Sequence, residues 1–274
     1  LIQGRDRACF GVTEPDAGLN TTQLATRAIR NGDHYVINGR KLWTTTAQTA
    51  NKILLIVRTT ALADCRKPTD GLSLFYTELN RDCIEVRAID KMGRKAVDSN
   101  ALFIDNLVVP IDDRIGEEGQ GWKYLLHGLN PERILIAAEA IGLGQAALAR
   151  ASQYAKERVV FNRSIGKNQG IQHPLAVNWM ELEAAHLMVQ KAASLYDAGK
   201  ACGAEANSAK YLAAEAGLRA CQRAVLTHGG MGYAREYHVE RYLREIMIPV
   251  IAPISQELIK SFIAEQILGQ EKSY

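Results

Sequence analysis

The chain reads as an α+β protein of more than one domain, an antiparallel β-barrel or sandwich followed by an up-and-down α-helical bundle. Three observations predict this. From about residue 8 to 112, short strand-like runs follow one another with no long helical pattern between them. At Pro110 to Gly121 (PIDDRIGEEGQG) the composition changes. Beyond it, apolar residues recur at three- and four-residue spacing. The boundary is set there, giving a β-domain over 1–113 and a helical bundle over 114–274.

The β-domain is a succession of short strand-like runs. HYVINGRKLWTTT puts Tyr35 and Ile37 before Asn38-Gly39, with Leu42 and Trp43 after it. Asn-Gly between such runs predicts a hairpin turn there, because both turn positions need positive φ. KILLIVR (52–58), LSLFYTEL (72–79), CIEVRAI (83–89) and ALFIDNLVV (101–109) supply further strands. In the second half, Leu175, Trp179, Leu182, His186, Val189, Ala193 and Tyr196 form an apolar stripe interrupted only by His186. The alanine-rich stretch 205–227 permits close helix approach, and His228-Gly229-Gly230 stops it. Helices are therefore expected over 118–156, 170–200, 204–228 and about 252–268, with a shorter one near 236–246.

Composition narrows function little. The net charge of +3 does not by itself point to nucleic acid, and the hydrophobic fraction of 47% is ordinary. Five cysteines without CxxC or metal-like spacing suggest free thiols in a reducing compartment, cytoplasmic or, in a eukaryote, the mitochondrial matrix. No apolar run in the sequence suggests a membrane span. The N-terminal LIQGRDRACFG resembles neither a signal nor a transit peptide, and its start at Leu suggests a fragment.

Several segments invite chemistry. FGVTEPDAGLNTT (10–22) is a turn of small and hydroxyl side chains that suits a flavin or a phosphate, or is simply a polar loop. KLWTTT (41–46) places Trp43 and Thr45 on one strand face, where a tryptophan is commonly core. NPERILIAAEAIGLG (130–144) sets Glu132 and Arg133 near the start of an apolar helix. Glu132 is there either a partner of the helix dipole or a desolvated general base, and on position alone the dipole is preferred. The loop KERVVFNRSIGKNQGIQ offers Arg158, Arg163 and Lys167 to a phosphate or to solvent. HGGMGY (228–233) follows a helix and not a strand, so it is no Rossmann fingerprint. His173 and His228 have no partner at metal-ligand spacing, and no metal is expected.

Taken in order, TEPDAG, KLWTTT, RVVFNRSIGKNQGIQ, HGGMGY and SQELIKSFIAEQILG resemble the acyl-CoA dehydrogenase family. The resemblance runs along essentially the whole chain as that family's middle and C-terminal domains. Nothing here corresponds to the N-terminal helical domain. It implies FAD as cofactor, with Phe10, Val12, Thr13, Trp43 and Thr45 at the isoalloxazine ring. It further implies that Arg158, Phe161, Ile165, Gln169, Gly229, Gly230 and Gln256 contact FAD, the adenine-diphosphate portion coming from a neighbouring subunit. Asn130 and Arg133 would lie at the acyl-CoA substrate.

Many members of that family carry the catalytic base in a segment that reads here Ile251-Ala252-Pro253-Ile254-Ser255-Gln256, with Ala252 in the glutamate seat. The isovaleryl and long-chain group carries it where Glu132 stands. The resemblance thus implies Glu132 as base in α,β-dehydrogenation of an acyl-CoA to the trans-2-enoyl-CoA, with its own backbone N–H as one donor to the thioester oxygen. It also implies a homo-oligomer, dimer or tetramer, and electron-transfer flavoprotein as acceptor, with no nucleic-acid partner. An acyl-CoA oxidase or flavin monooxygenase on the same fold, or a non-catalytic partner subunit, are the alternatives. Leu19-Asn20, Asn162 and Leu226 depart from the family pattern and bear on FAD binding.

Overall fold

Two Asn-Gly pairs compete to turn the chain, and the earlier one wins. In the computed structural model, which describes residues 1–272, strands β2 (Arg27–Asn31) and β3 (His34–Thr45) join across Gly32-Asp33, with Asn31 opposite His34 and Gly32 at φ +61°. The hairpin expected at Asn38-Gly39 is overturned. There β3 continues through an irregularity in its register against β7 (Ser99–Pro110). A Cβ at Gly39 would lie 2.4 Å from Thr26 Oγ1, so glycine serves close approach here and not reversal.

The chain divides into two compact units, Leu1–Gly128 and Leu129 onward. The first is built on one sheet that also contains β1 (Ala8–Gly11), β4 (Lys52–Arg58), β5 (Leu72–Glu78), β6 (Ile84–Ala88) and β8 (Arg114–Ile115). Its order is β6-β7-β3-β2-β4-β5-β8, with β1 also paired to β4. The sheet is mixed, not wholly antiparallel: β1 and β2 both run parallel to β4. β3 carries the chain back between β2 and β4, so those two strands point the same way. Among the described residues the path is open and no barrel closes. Tyr35, Ile37, Ile53, Leu55, Phe75, Leu102 and Val109 form the centre of its core.

The second unit is helical, with α1 (Gly121–Glu157) entering from the first unit's span, then α2 (Gln169–Asp197), α3 (Gly203–His228), α4 (Val239–Glu245), α5 (Met247–Ile251) and α6 (Gln256–Gln266). A two-stranded ribbon, β9 (Val159–Val160) and β10 (Arg163–Ser164), links α1 to α2. The core is largely alanine, including Ala137, Ala140, Ala185, Ala209 and Ala216. Backbones approach closely: a Cβ at Gly217 would lie 2.7 Å from the Ala140 carbonyl. The α2 stripe is rotated from expectation. Leu182 and Val189 are buried, but Trp179 is 58% exposed and Tyr196 also faces outward. The buried row is Asn178, Leu182, Ala185, Val189 and Ala192, centred on alanines that let α2 come close to its neighbour. Two segments, Gly121–Glu157 and Val239–Gln266, are long and apolar enough by composition to cross a membrane. The first buries its alanine face in the bundle core, and the second is divided among three helices.

Candidate active site

The first unit gathers Phe10, Val12, Thr13, Trp43 and Thr45. β1 pairs with β4 so that Cys9 and Gly11 turn inward, and Phe10 is left partly exposed. Strand alternation alone would put Lys41, Trp43 and Thr45 on one face. A register shift between Lys41 and Thr44 breaks the alternation, with Trp43 held at φ +60°. Lys41 and Thr44 therefore point inward, whereas Trp43, 54% exposed, and Thr45 point outward. The loop that follows β1 is tied to this bulge by a bond from Leu42 N–H to the Thr13 carbonyl, 2.8 Å long.

Two residues not singled out from the sequence lie beneath. Lys41 Nζ, fully buried, donates to Glu14 Oε1 at 2.8 Å and to the Val12 carbonyl at 3.0 Å. Glu14 also accepts from Ala25 N–H at 2.7 Å and Thr26 N–H at 3.1 Å. Burial alone would raise the Glu14 carboxyl, but the Lys41 charge and these bonds hold it below the usual range. Burial drives Lys41 down to about 8 against the pull of Glu14. Their only signal in the sequence was a charged residue inside each of two motifs, which does not reveal that the two meet.

In the second unit, Glu132 lies about three turns inside α1, given 3.6 residues per turn. This removes the dipole-partner explanation, since that effect fades within the first turn. Burial raises the Glu132 carboxyl above its ordinary value, and the Arg133 charge opposes this only in part. Arg133 donates to Asn130 Oδ1 at 2.9 Å, while its Nε is buried with no partner.

Arg158, Phe161 and Gln169 are all exposed. Phe161 and Asn162 form the two-residue loop of the β9–β10 ribbon, at φ +52° and +62°. Asparagine tolerates that region well, which accounts for Asn162 in a place where glycine is usual. Phe161 is 95% exposed at the tip. Ile165, half-buried, starts the short turn before α2. At the end of α3, Gly229 stands at φ +59°, and open space surrounds it and Gly230. Beneath them His228 is buried, bonded through Nδ1 to the Ala224 carbonyl at 2.8 Å and stacked on Tyr154 at 4.2 Å. Gln256 opens α6, and its Nε2 is buried with no partner. Lys210 donates to the carbonyls of Val250 and Ile254, at 3.2 and 2.7 Å, and so braces the segment around Ala252.

Each unit, taken by itself, carries one feature that fits part of a flavin dinucleotide. An indole is held outward by a bulge instead of joining the core, and a buried amide at Gln256 lacks a partner that a ligand would supply.

Comparison with known proteins agrees. The family model for the acyl-CoA dehydrogenase middle domain matches residues 9–107, and that for the C-terminal domain matches 119–268. Acyl-CoA dehydrogenase FadE12 of Mycobacterium tuberculosis is 38% identical, over 100% of this chain and 70% of the relative. The structure of butyryl-CoA dehydrogenase from Megasphaera elsdenii superposes with a TM-score of 0.92 at 33% identity, over 97% of this chain and 69% of that one. The FAD complex of PigA also superposes at 0.92, with 25% identity, over 98% and 69%.

Proposed function

Because the chain belongs to the acyl-CoA dehydrogenase family, we propose that it dehydrogenates an acyl-CoA thioester between its α and β carbons, with Glu132 as the base. The protein is a flavin-dependent oxidoreductase with FAD as its cofactor. FAD supplies the two-electron acceptor that takes the β-hydride. The α-proton goes to the Glu132 carboxylate, and the trans-2-enoyl-CoA leaves. A base must be anionic at working pH yet basic enough to compete for a weakly acidic proton. Glu132 meets this by partial burial, which raises its pKa while Arg133 limits the rise. The observation that carries the proposal is this desolvated carboxylate, combined with alanine at 252.

The other residues bind and orient. Arg133 and Asn130, already bonded to each other, face the CoA portion; the buried, unpartnered Arg133 Nε is a donor ready for it. Phe10, Val12, Thr13, Trp43 and Thr45 seat the flavin ring. Arg158, Phe161, Ile165, Gln169, Gly229, Gly230 and Gln256 take the rest of FAD. A phenylalanine 95% exposed at a ribbon tip supports delivery of part of that set to a second copy, hence a homo-oligomer. Electron-transfer flavoprotein is the proposed acceptor of the reduced flavin's electrons.

Anaerobic titration of the yellow holoprotein with a panel of acyl-CoAs tests this. Bleaching by at least one of them, with the enoyl-CoA recovered, is the expected result. A bound flavin that none of them reduces would overturn it, and rapid oxygen uptake by the reduced flavin would mark an oxidase instead.

A further inference from the structure

Buried ion pairs rarely exist for stability. Removing two charges from water is costly, and apolar residues of similar volume often serve a core as well or better. The Lys41–Glu14 pair is such a case, with side-chain exposures of 0% and 6%. What it does that two apolar residues could not is hold backbone. Lys41 reaches the Val12 carbonyl at 3.0 Å, and Glu14 collects the N–H groups of Ala25 and Thr26. The segment 12–14 lies outside the regular strands, and these bonds place it together with Leu42 N–H to the Thr13 carbonyl and the Glu14–Ala17 backbone bridge.

The same lysine pins one end of the β3 bulge. The other end is held by Thr44, buried, whose carbonyl accepts from Asn100 Nδ2 at 2.9 Å. Between these two inward anchors Trp43 stands out at φ +60°. Lys41 therefore fixes the Val12–Thr13 backbone and the Trp43–Thr45 face relative to each other.

We propose that the Lys41–Glu14 pair is a positioning device that shapes the flavin seat in advance of binding. This rests on the reading that Val12, Thr13, Trp43 and Thr45 face the flavin. Being neutral as a pair and buried, it acts through geometry and not by presenting charge to the ring.

The test uses the full chain as Lys41→Met, Glu14→Gln and the double variant, with FAD affinity, visible circular dichroism of the bound flavin and thermal stability as readouts. Each single variant strands a buried group and lowers Tm. The double variant removes both charges and recovers most of that Tm, yet binds FAD roughly tenfold or more weakly because pre-organisation is lost, with an altered flavin signal. A double variant with recovered Tm, wild-type FAD affinity and a wild-type flavin signal overturns the proposal. Should the variants not fold, amide hydrogen exchange on the wild type decides it. Protection of the Thr26 and Leu42 amides that is equal with and without FAD supports a preformed seat. Protection that appears only with FAD overturns it. Trp43→Leu separates the two levels of inference. If it leaves FAD affinity and signal unchanged, the flavin-seat reading itself fails. If it changes them and the double variant does not, only the positioning role fails.

Discussion

Replacing Glu132 by glutamine keeps the shape of the side chain and removes only its ability to accept a proton. Because burial raises the Glu132 carboxyl, the ionised form is the one the fold tolerates less well. The folded state binds a proton at 132 more readily than the unfolded chain does. Stability from this group is therefore greatest when the carboxyl is protonated, and it declines as pH rises through the folded pKa. Glutamine removes that decline, so Tm at neutral pH stays level or rises. Catalysis moves the other way. A positioned general base is worth about 10²–10⁴ in rate, or about 3–5 kcal/mol of barrier. Single-turnover bleaching of the flavin by a saturating acyl-CoA should slow by that factor, while FAD affinity stays at the wild-type value. The acid limb of the wild-type rate profile should lie above that of an ordinary carboxylate, and it should vanish in the variant. Retention of the bleaching rate within a factor of ten, or an unchanged acid limb, would refute Glu132 as base.

Three further outcomes are expected. Phe161→Ser, at a tip 95% exposed, should leave Tm unchanged and weaken FAD binding by about 0.5–1.5 kcal/mol, the worth of an aromatic contact, as read by flavin titration. Lys210 is pushed down to about 8 by burial first and by the Arg133 charge second, from an ordinary 10.5. The folded state sheds that proton earlier than the unfolded chain, so its stability rises between those two pH values. Lys210→Met should flatten this rise and speed amide exchange across residues 250–256, whereas an unaltered pH–Tm profile would count against it. Gly217→Ala forces a methyl group to 2.7 Å from the Ala140 carbonyl and the Ile246 side chain. It should lower stability by about 1–3 kcal/mol in thermal unfolding, the usual cost of overpacking.

Much of the site was legible because its motifs are local. TEPDAG, KLWTTT and HGGMGY each lie within six residues, and the later strands and the main helices fall close to where alternation and helical spacing put them. The choice between two Asn-Gly turns was not legible. Both pairs satisfy the local rule, and only pairing of β3 with β7 along its length keeps Asn38-Gly39 extended. The face of α2 was missed for a related reason. Hydrophobicity marked Trp179, but close packing on alanine selected Ala185 and Ala192.

The sequence by itself determined the family, the two-part architecture and which residue types could do the chemistry, since each depends on neighbours in the chain. Tertiary structure decided the rest. It set Glu132 deep in a helix and away from its dipole end, joined Lys41 to Glu14 across 27 positions, and turned Trp43 outward. The physical reason is that burial, ion pairing and strand register are properties of residues brought together from distant positions, and no local pattern encodes the partner.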